Sequence, residues 1–282
     1  MSAPSAPPPD IDRAFLRLAE GLVHYRHAGD PAAPGLPLYM AHAGPGSSLG
    51  LARLAGELAR TRRVIAPDML GNGDSDPPAT AEGDIAYYAD CAVRILDALG
   101  IAKVDFYGSH TGAMIGVELA RSHPDRVGKL ILDGVMLLDA ADRTRMLARY
   151  APPKRPDDHG GQFAWAYQFC RDMVLFYPYF DRDAAHRTGN GVPSPEALHP
   201  FVVDLLKALT TYHCAYRAAF SYDMAQALAA SRHAMLLVCS AGDPTHGDLP
   251  KACALRPDAD AELFRASASV AAIAARLAAF LG

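Results

Sequence analysis

Gly108-Ser109-His110-Thr111-Gly112 lies between an apolar run, Val104-Asp105-Phe106-Tyr107, and a helical one from Ala113 to Ala120. A strand that turns sharply into a helix presents one side chain at the bend. Small residues two places to either side of the apex let the chain close up. That register puts His110 at the apex and Ser109 one place short of it. A slip promoting Ser109 would set Tyr107 and Thr111 where the small residues belong. Imidazole is a nucleophile and a base without further activation, with a reference pKa of about 6.5. At a helix N-terminus it meets the positive end of the dipole, which disfavours imidazolium. His110 is therefore expected to be neutral.

A second segment, His42-Ala43-Gly44-Pro45-Gly46, follows an apolar strand-like run. A Gly/Pro turn there can aim the Gly44 N–H at a reacting oxygen, and the Thr111 N–H just past the apex would be a second donor. Together they would form an oxyanion hole. Asp68 to Asp76 reads as a structural turn, its Asp and Asn side chains accepting nearby N–H groups and its glycines taking positive φ.

The elements that must position these residues alternate along the chain. Strands are expected at Leu22–Arg26, Leu36–His42, Arg63–Ala66, Val104–Tyr107, Leu130–Leu132, Met235–Cys239 and Ala252–Leu255. Helices are expected at Gly50–Arg60, Tyr87–Leu99, Phe201–Phe220 and Ser267–Phe280. Strands separated by single helices imply an α/β fold, a mostly parallel sheet flanked by helices. The stretch 137–231 has no strand-like run and reads as a helical cap over the carboxyl edge of the sheet, where ligands bind. Residues 1–12 read as a flexible tail, and 13–136 with 232–282 as the core.

Composition narrows the function. The chain has 282 residues, half of them hydrophobic, and a formal charge of −4 without a basic block, which argues against a nucleic-acid partner. No apolar run reaches the length of a membrane span, and the first residues carry no signal-peptide pattern, so a cytoplasmic protein is expected. Five scattered cysteines form no C-x-x-C pair, and the spacing of His42, His110 and His246 is not that of a metal motif. Neither metal nor cofactor is expected.

In this order the three motifs resemble the α/β-hydrolase superfamily, in its capped form. His42 to Gly46 is similar to its H-G-x-P-G oxyanion loop, Asp68 to Asp76 to its D-x-x-G-x-G-x-S-D turn, and Gly108 to Gly112 to its nucleophile elbow. The resemblance implies a triad acid at Asp243, or at Asp133 in the manner of dehalogenase-like members. Two triad places depart from the family. The nucleophile position holds His110, and the general-base histidine expected near Pro257 to Glu262 is missing, since none occurs beyond His246.

One design accommodates both changes. A histidine at the apex needs no second histidine, only Asp243 or Asp133 to accept its other N–H. Its ring nitrogen projects about two bonds beyond a serine oxygen, which suits a general base better than a nucleophile. The resulting expectation is a hydrolase of a small apolar ester, lactone or other carbonyl compound. A lyase, isomerase or cofactor-free oxygenase of the same fold is an alternative, as is a ligand-binding protein without activity. Expected substrate contacts are His42, Ser109 and, in the cap, Trp165, Arg171, His199 and His213. For the cap residues packing is the competing role, and Arg171 could pair with Asp172 or hold a carboxylate.

Overall fold

A computed structural model describes residues 10–282. Its framework is an eight-stranded sheet made of β1 (Asp12–Arg17), β2 (Leu22–Ala28), β3 (Leu38–Ala41), β4 (Val64–Pro67), β5 (Val104–Ser109), β6 (Val127–Asp133), β7 (Met235–Ser240) and β8 (Asp260–Phe264). The strand order is β1-β2-β4-β3-β5-β6-β7-β8. The first two strands and the β2–β4 pair are antiparallel, and every pair from β4 to β8 is parallel.

The central strands are apolar throughout because both faces are covered. Helices α2 (Ile85–Ala98) and α3 (Thr111–Ser122) cover one face, with α8 (Met224–Ala230) and α9 (Leu249–Leu255); α1 (Ala52–Leu58) and α10 (Val270–Leu281) cover the other. In α2 the residues Ile85, Tyr88, Ala89, Ala92, Ile95 and Leu96 recur every three or four places and are buried. Asp84 caps it by accepting the Tyr87 N–H at 2.9 Å.

Between β6 and β7 the chain inserts α4 (Ala140–Arg149), α5 (Gly161–Leu175), α6 (Pro195–Lys207) and α7 (Tyr212–Ser221). These four helices share an aromatic core of their own around Tyr150, Phe169, Tyr179, Tyr212, Tyr216 and Phe220. The following helix, α8, lies within the stretch expected to be cap, yet packs against the helices of the sheet.

Some expectations are corrected. Ala252–Leu255 is the end of helix α9; the last strand is β8, five residues further on. Phe201–Phe220 is two helices, parted at residues 208–211. Of the expected tail, residues 1–9 lie outside the described residues, and Asp12 already pairs with His27 in β1. No helix among the described residues is long and apolar enough to cross a membrane.

Candidate active site

His110 sits between β5 and α3 with φ 50° and ψ −107°, the only non-glycine among the described residues with positive φ. Such a conformation costs on the order of 1–3 kcal/mol and persists only where its surroundings enforce it. The two glycines are part of that enforcement. A Cβ on Gly108 would lie 2.2 Å from the Gly112 carbonyl oxygen, and one on Gly112 would lie 2.2 Å from that of Ala41. The His110 N–H donates to the Asp133 carbonyl at 2.8 Å, tying the bend to β6.

The ring leans away from the bend. Its Nε2–H donates to Asp243 Oδ2 at 2.9 Å. It also lies over Gly134, where a Cβ would come within 2.6 Å of Cε1. Asp243 follows β7, and its other oxygen accepts the Thr245 N–H at 2.8 Å and the Thr245 hydroxyl at 2.7 Å. Burial pushes the Asp243 carboxyl up, but His110 and Thr245 together outweigh it and hold it at about 2. Burial likewise disfavours imidazolium at His110, yet the hydrogen bond and charge of Asp243, with Asp133 behind it, raise its pKa above the ordinary histidine value. The carboxylate thus pulls the ring's pKa the opposite way from the shift expected of the helix dipole.

Asp133 is engaged elsewhere. Its Oδ2 accepts the Tyr107 hydroxyl at 2.6 Å, and burial keeps its pKa up despite that bond. With Nε2 committed to Asp243, the free nitrogen is Nδ1, which has no partner among the described residues and is not sealed from solvent. Nδ1 lies one bond beyond the place of a serine oxygen, not two. The ring meets Asp243 and Gly134, and it shares a cavity wall with His42, Ala43, Gly44 and Gly46.

That cavity has a volume of about 540 Å³ and lies under the cap. Met114, Met136, Met173, Tyr177, Phe201 and Phe220 make much of its wall, and Ser109, His110, Thr111 and Gly44 line it beside the bend. Gly44 and Thr111 are neighbours: a Cβ on Gly44 would lie 3.6 Å from Thr111 Oγ1. Neither of their amides has a protein acceptor among the described residues. Two free N–H groups beside a base are what a developing oxyanion requires.

His42 also lines the cavity but has no nitrogen to offer. Its Nδ1–H donates to Ala43 O at 2.8 Å, and its Nε2 accepts the Met69 N–H at 2.9 Å. Burial lowers its pKa, which preserves the neutral ring those two bonds need. Asp68 is the structural hub of the neighbouring turn. It accepts the N–H groups of Ser48 at 2.8 Å and Asp74 at 2.9 Å, and pairs with His24 Nδ1 at 2.9 Å.

The four cap residues expected to touch substrate do not line the cavity. Trp165 packs between Phe169 and Tyr212 in the cap core, with Lys154 over its ring at 5.2 Å. Arg171 is paired with buried Asp172 at 2.8 Å. His199 is exposed on α6, and His213 lies beside Cys214 at the start of α7. Sequence reasoning missed Ser47, Tyr177 and Asp204, all of which line the cavity. A signal existed for Asp204, a lone acid inside the apolar run Phe201-Val202-Val203-Asp204-Leu205-Leu206.

The distal histidine is absent at the observed position too. The loop after the last strand is residues 265–269, further along than Pro257 to Glu262, and it too lacks histidine. There Ala266 packs against the turn that carries Asp243: a Cβ on Gly242 would lie 3.4 Å from the Ala266 Cβ.

This architecture is the α/β-hydrolase fold with a helical insertion, and the family model of that fold matches residues 37–168. The chain is 41% identical over 140 residues to 2-hydroxymuconate semialdehyde hydrolase of a Pseudomonas species, 48% of this chain and 46% of that protein. It is 32% identical over 140 residues to the haloalkane dehalogenase of Mycolicibacterium paratuberculosis, 46% of each chain. The chain thus spans about half the length of the curated relatives it matches. Epoxide hydrolase A of Mycobacterium thermoresistibile has a similar structure, with a TM-score of 0.74 at 19% identity over 96% of this chain and 98% of that one. The enol-lactonase of Burkholderia xenovorans is similar with a TM-score of 0.66 at 18% identity over 95% and 96%.

Proposed function

We propose that this chain is a hydrolase of a small, largely apolar carbonyl compound, an ester or lactone, with the His110–Asp243 pair as general base. The observation that carries this reading is the Nε2–H bond to Asp243, which leaves Nδ1 without a protein partner among the described residues on a ring that lines the cavity. A water between Nδ1 and the carbonyl carbon gives its proton to Nδ1 as its oxygen attacks. The displaced electron pair moves onto the carbonyl oxygen, held by the Gly44 and Thr111 amides. Collapse of the tetrahedral intermediate re-forms the carbonyl and expels the alkoxide, which takes the proton back from the imidazolium. Asp243 stabilises that imidazolium while it exists. The hydrolase names of the relatives support this class of reaction.

Proton abstraction from an acidic carbon is a second reading, favoured by the water-poor wall of methionine and aromatic side chains. Isomerase, lyase or cofactor-free oxygenase chemistry would start that way. Ester, lactone and thioester panels in ¹⁸O-water, run on the wild type and His110→Ala, separate the readings. Hydrolysis should place ¹⁸O in the acid product and fall by about 10²–10⁴ in the variant. Unchanged turnover in His110→Ala would sink both readings.

A further inference from the structure

Among the described residues, Asp204 is the only carboxyl side chain that lines the cavity, and no lysine or arginine lines it. It belongs to α6, is 7% exposed, and reaches across to the oxyanion loop, where its Oδ2 accepts the Ser47 hydroxyl at 2.7 Å. Its Oδ1 has no donor among the described residues, and it is not among the polar atoms sealed from solvent. That oxygen is accessible, on a side chain that lines the cavity. A carboxyl group left half-satisfied in apolar surroundings loses hydration without full compensation. The unmet hydrogen bond is one that a bound molecule can supply.

The chemistry of that molecule follows. No lysine or arginine among the described lining residues would offset an anion beside Asp204, so carboxylates are disfavoured next to it. A hydroxyl group can donate to Oδ1 when Asp204 is ionised and accept from it when Asp204 is protonated. Burial raises the pKa of Asp204 against the pull of Ser47, His42 and Lys207, with Asp68 adding to the rise, and a hydroxyl suits either state. We infer that Asp204 is a substrate-binding residue that selects neutral molecules carrying a hydroxyl group and turns away anions. This deepens the proposed function, because it rests on the cavity being the substrate site, but it is independent of the reaction at His110.

Unreactive probes test it by titration calorimetry, without any turnover: 4-ethylphenol, ethylbenzene and 4-ethylbenzoate on wild type, Asp204→Ala, Asp204→Asn and His110→Ala. In the wild type and in His110→Ala, 4-ethylphenol should bind about tenfold more tightly than ethylbenzene, the worth of one buried hydrogen bond. The benzoate should bind no better than ethylbenzene. Asp204→Ala should bring the phenol and ethylbenzene together. Asp204→Asn keeps the shape and the contact to Ser47, so it should retain the phenol preference and bind the benzoate at least tenfold better than the wild type. Equal affinity of phenol and ethylbenzene in the wild type, no binding of the phenol, or a preference that survives Asp204→Ala overturns the inference. So does a benzoate that binds the wild type as tightly as the phenol. Loss of the preference in His110→Ala alone would place the hydroxyl at His110 and overturn it as well.

Discussion

His110 combines two features that are individually unfavourable, a strained backbone and a titratable ring under a cap. Both make sense together with Asp243. The bend places the side chain in the cavity wall, and the carboxylate holds Nε2, so that in the proposed mechanism Nδ1 is the working nitrogen. Asp243→Asn is the informative change. An amide there can donate to Nε2, which forces the ring proton onto Nδ1 and removes the base. Turnover should fall by about 10²–10⁴ even though the side chain keeps its shape. The pH profile gives the sign. In the wild type the rate should rise with pH through a limb above the ordinary histidine value, because Asp243 favours imidazolium. In Asp243→Asn only the charge of Asp133 still opposes burial, so the residual limb should move to lower pH; a limb that stays put would show that another group titrates. Stability should follow the same pair. The share from Asp243, held at about 2, is present above the unfolded carboxylate value and lost as pH falls toward 2. The share from His110 is complete below the unfolded histidine value and lost as pH rises through its raised folded value. His110→Ser should not yield an ordinary esterase, since His42 has both nitrogens bonded and the loop after β8 has no histidine. Efficient ester hydrolysis by that variant would reveal a base elsewhere in the site.

At the level of elements, the turn after β6 positions the ring as firmly as the bend that carries it. Gly134 has φ +69°, and a methyl group there would sit 2.6 Å from Cε1 of His110. Gly134→Ala should therefore cost about 1 kcal/mol from the backbone alone, and it should push the ring off Asp243. The expected result is a large loss of turnover with a modest fall in melting temperature; full activity would mean that the ring's pose does not matter. Gly112→Ala, directed at the Ala41 carbonyl, should prevent folding or lower stability by several kcal/mol, more than any surface change of equal size. These constraints explain what was legible in the sequence. The glycine spacing around His110 and the turn glycines Gly71 and Gly73 reflect local sterics, and local sterics are written in local residues. The last strand was illegible for the opposite reason. Asp260-Ala261-Glu262-Leu263-Phe264 is an edge strand, charged and partly exposed, so it lacks the apolar run that marks its buried neighbours. The run Ala252-Cys253-Ala254-Leu255 has strand-like composition but continues a helix begun at Leu249. Short apolar runs do not distinguish the two. In the site, His110 could be read from its spacing and Asp243 from the family resemblance. Tyr177 and Ser47 could not, because only the docking of the cap brings them to one cavity.

On the scale of the whole molecule, the cap is a second hydrophobic core set on the carboxyl edge of the first. It is fastened to the loops beneath it by polar contacts: Asp204 to Ser47, Lys207 to Asp74 at 2.7 Å, and the Thr211 hydroxyl to the Gly71 carbonyl at 2.5 Å. Ala215, Ala218 and Ala219 of α7 add an apolar seam to the sheet-side core, and a cap that opens separately must break both. Phe169 tests this. It is 1% exposed, with its ring centroid 4.5 Å from that of Tyr179 and 5.3 Å from that of Trp165. Phe169→Ala should remove about 3–5 kcal/mol of packing. If the cap opens on its own, that loss falls on the cap. Amide exchange should then speed up in α5, α6 and α7, while β5 and α3 keep their protection. The cavity would lose its roof and bind small apolar ligands less tightly, with the His110–Asp243 pair still in place below. A uniform loss of protection across sheet and cap would instead mean that the two cores unfold as one unit. The cavity would then be a fixed part of the fold, and entry to it would have to come from side-chain motion alone.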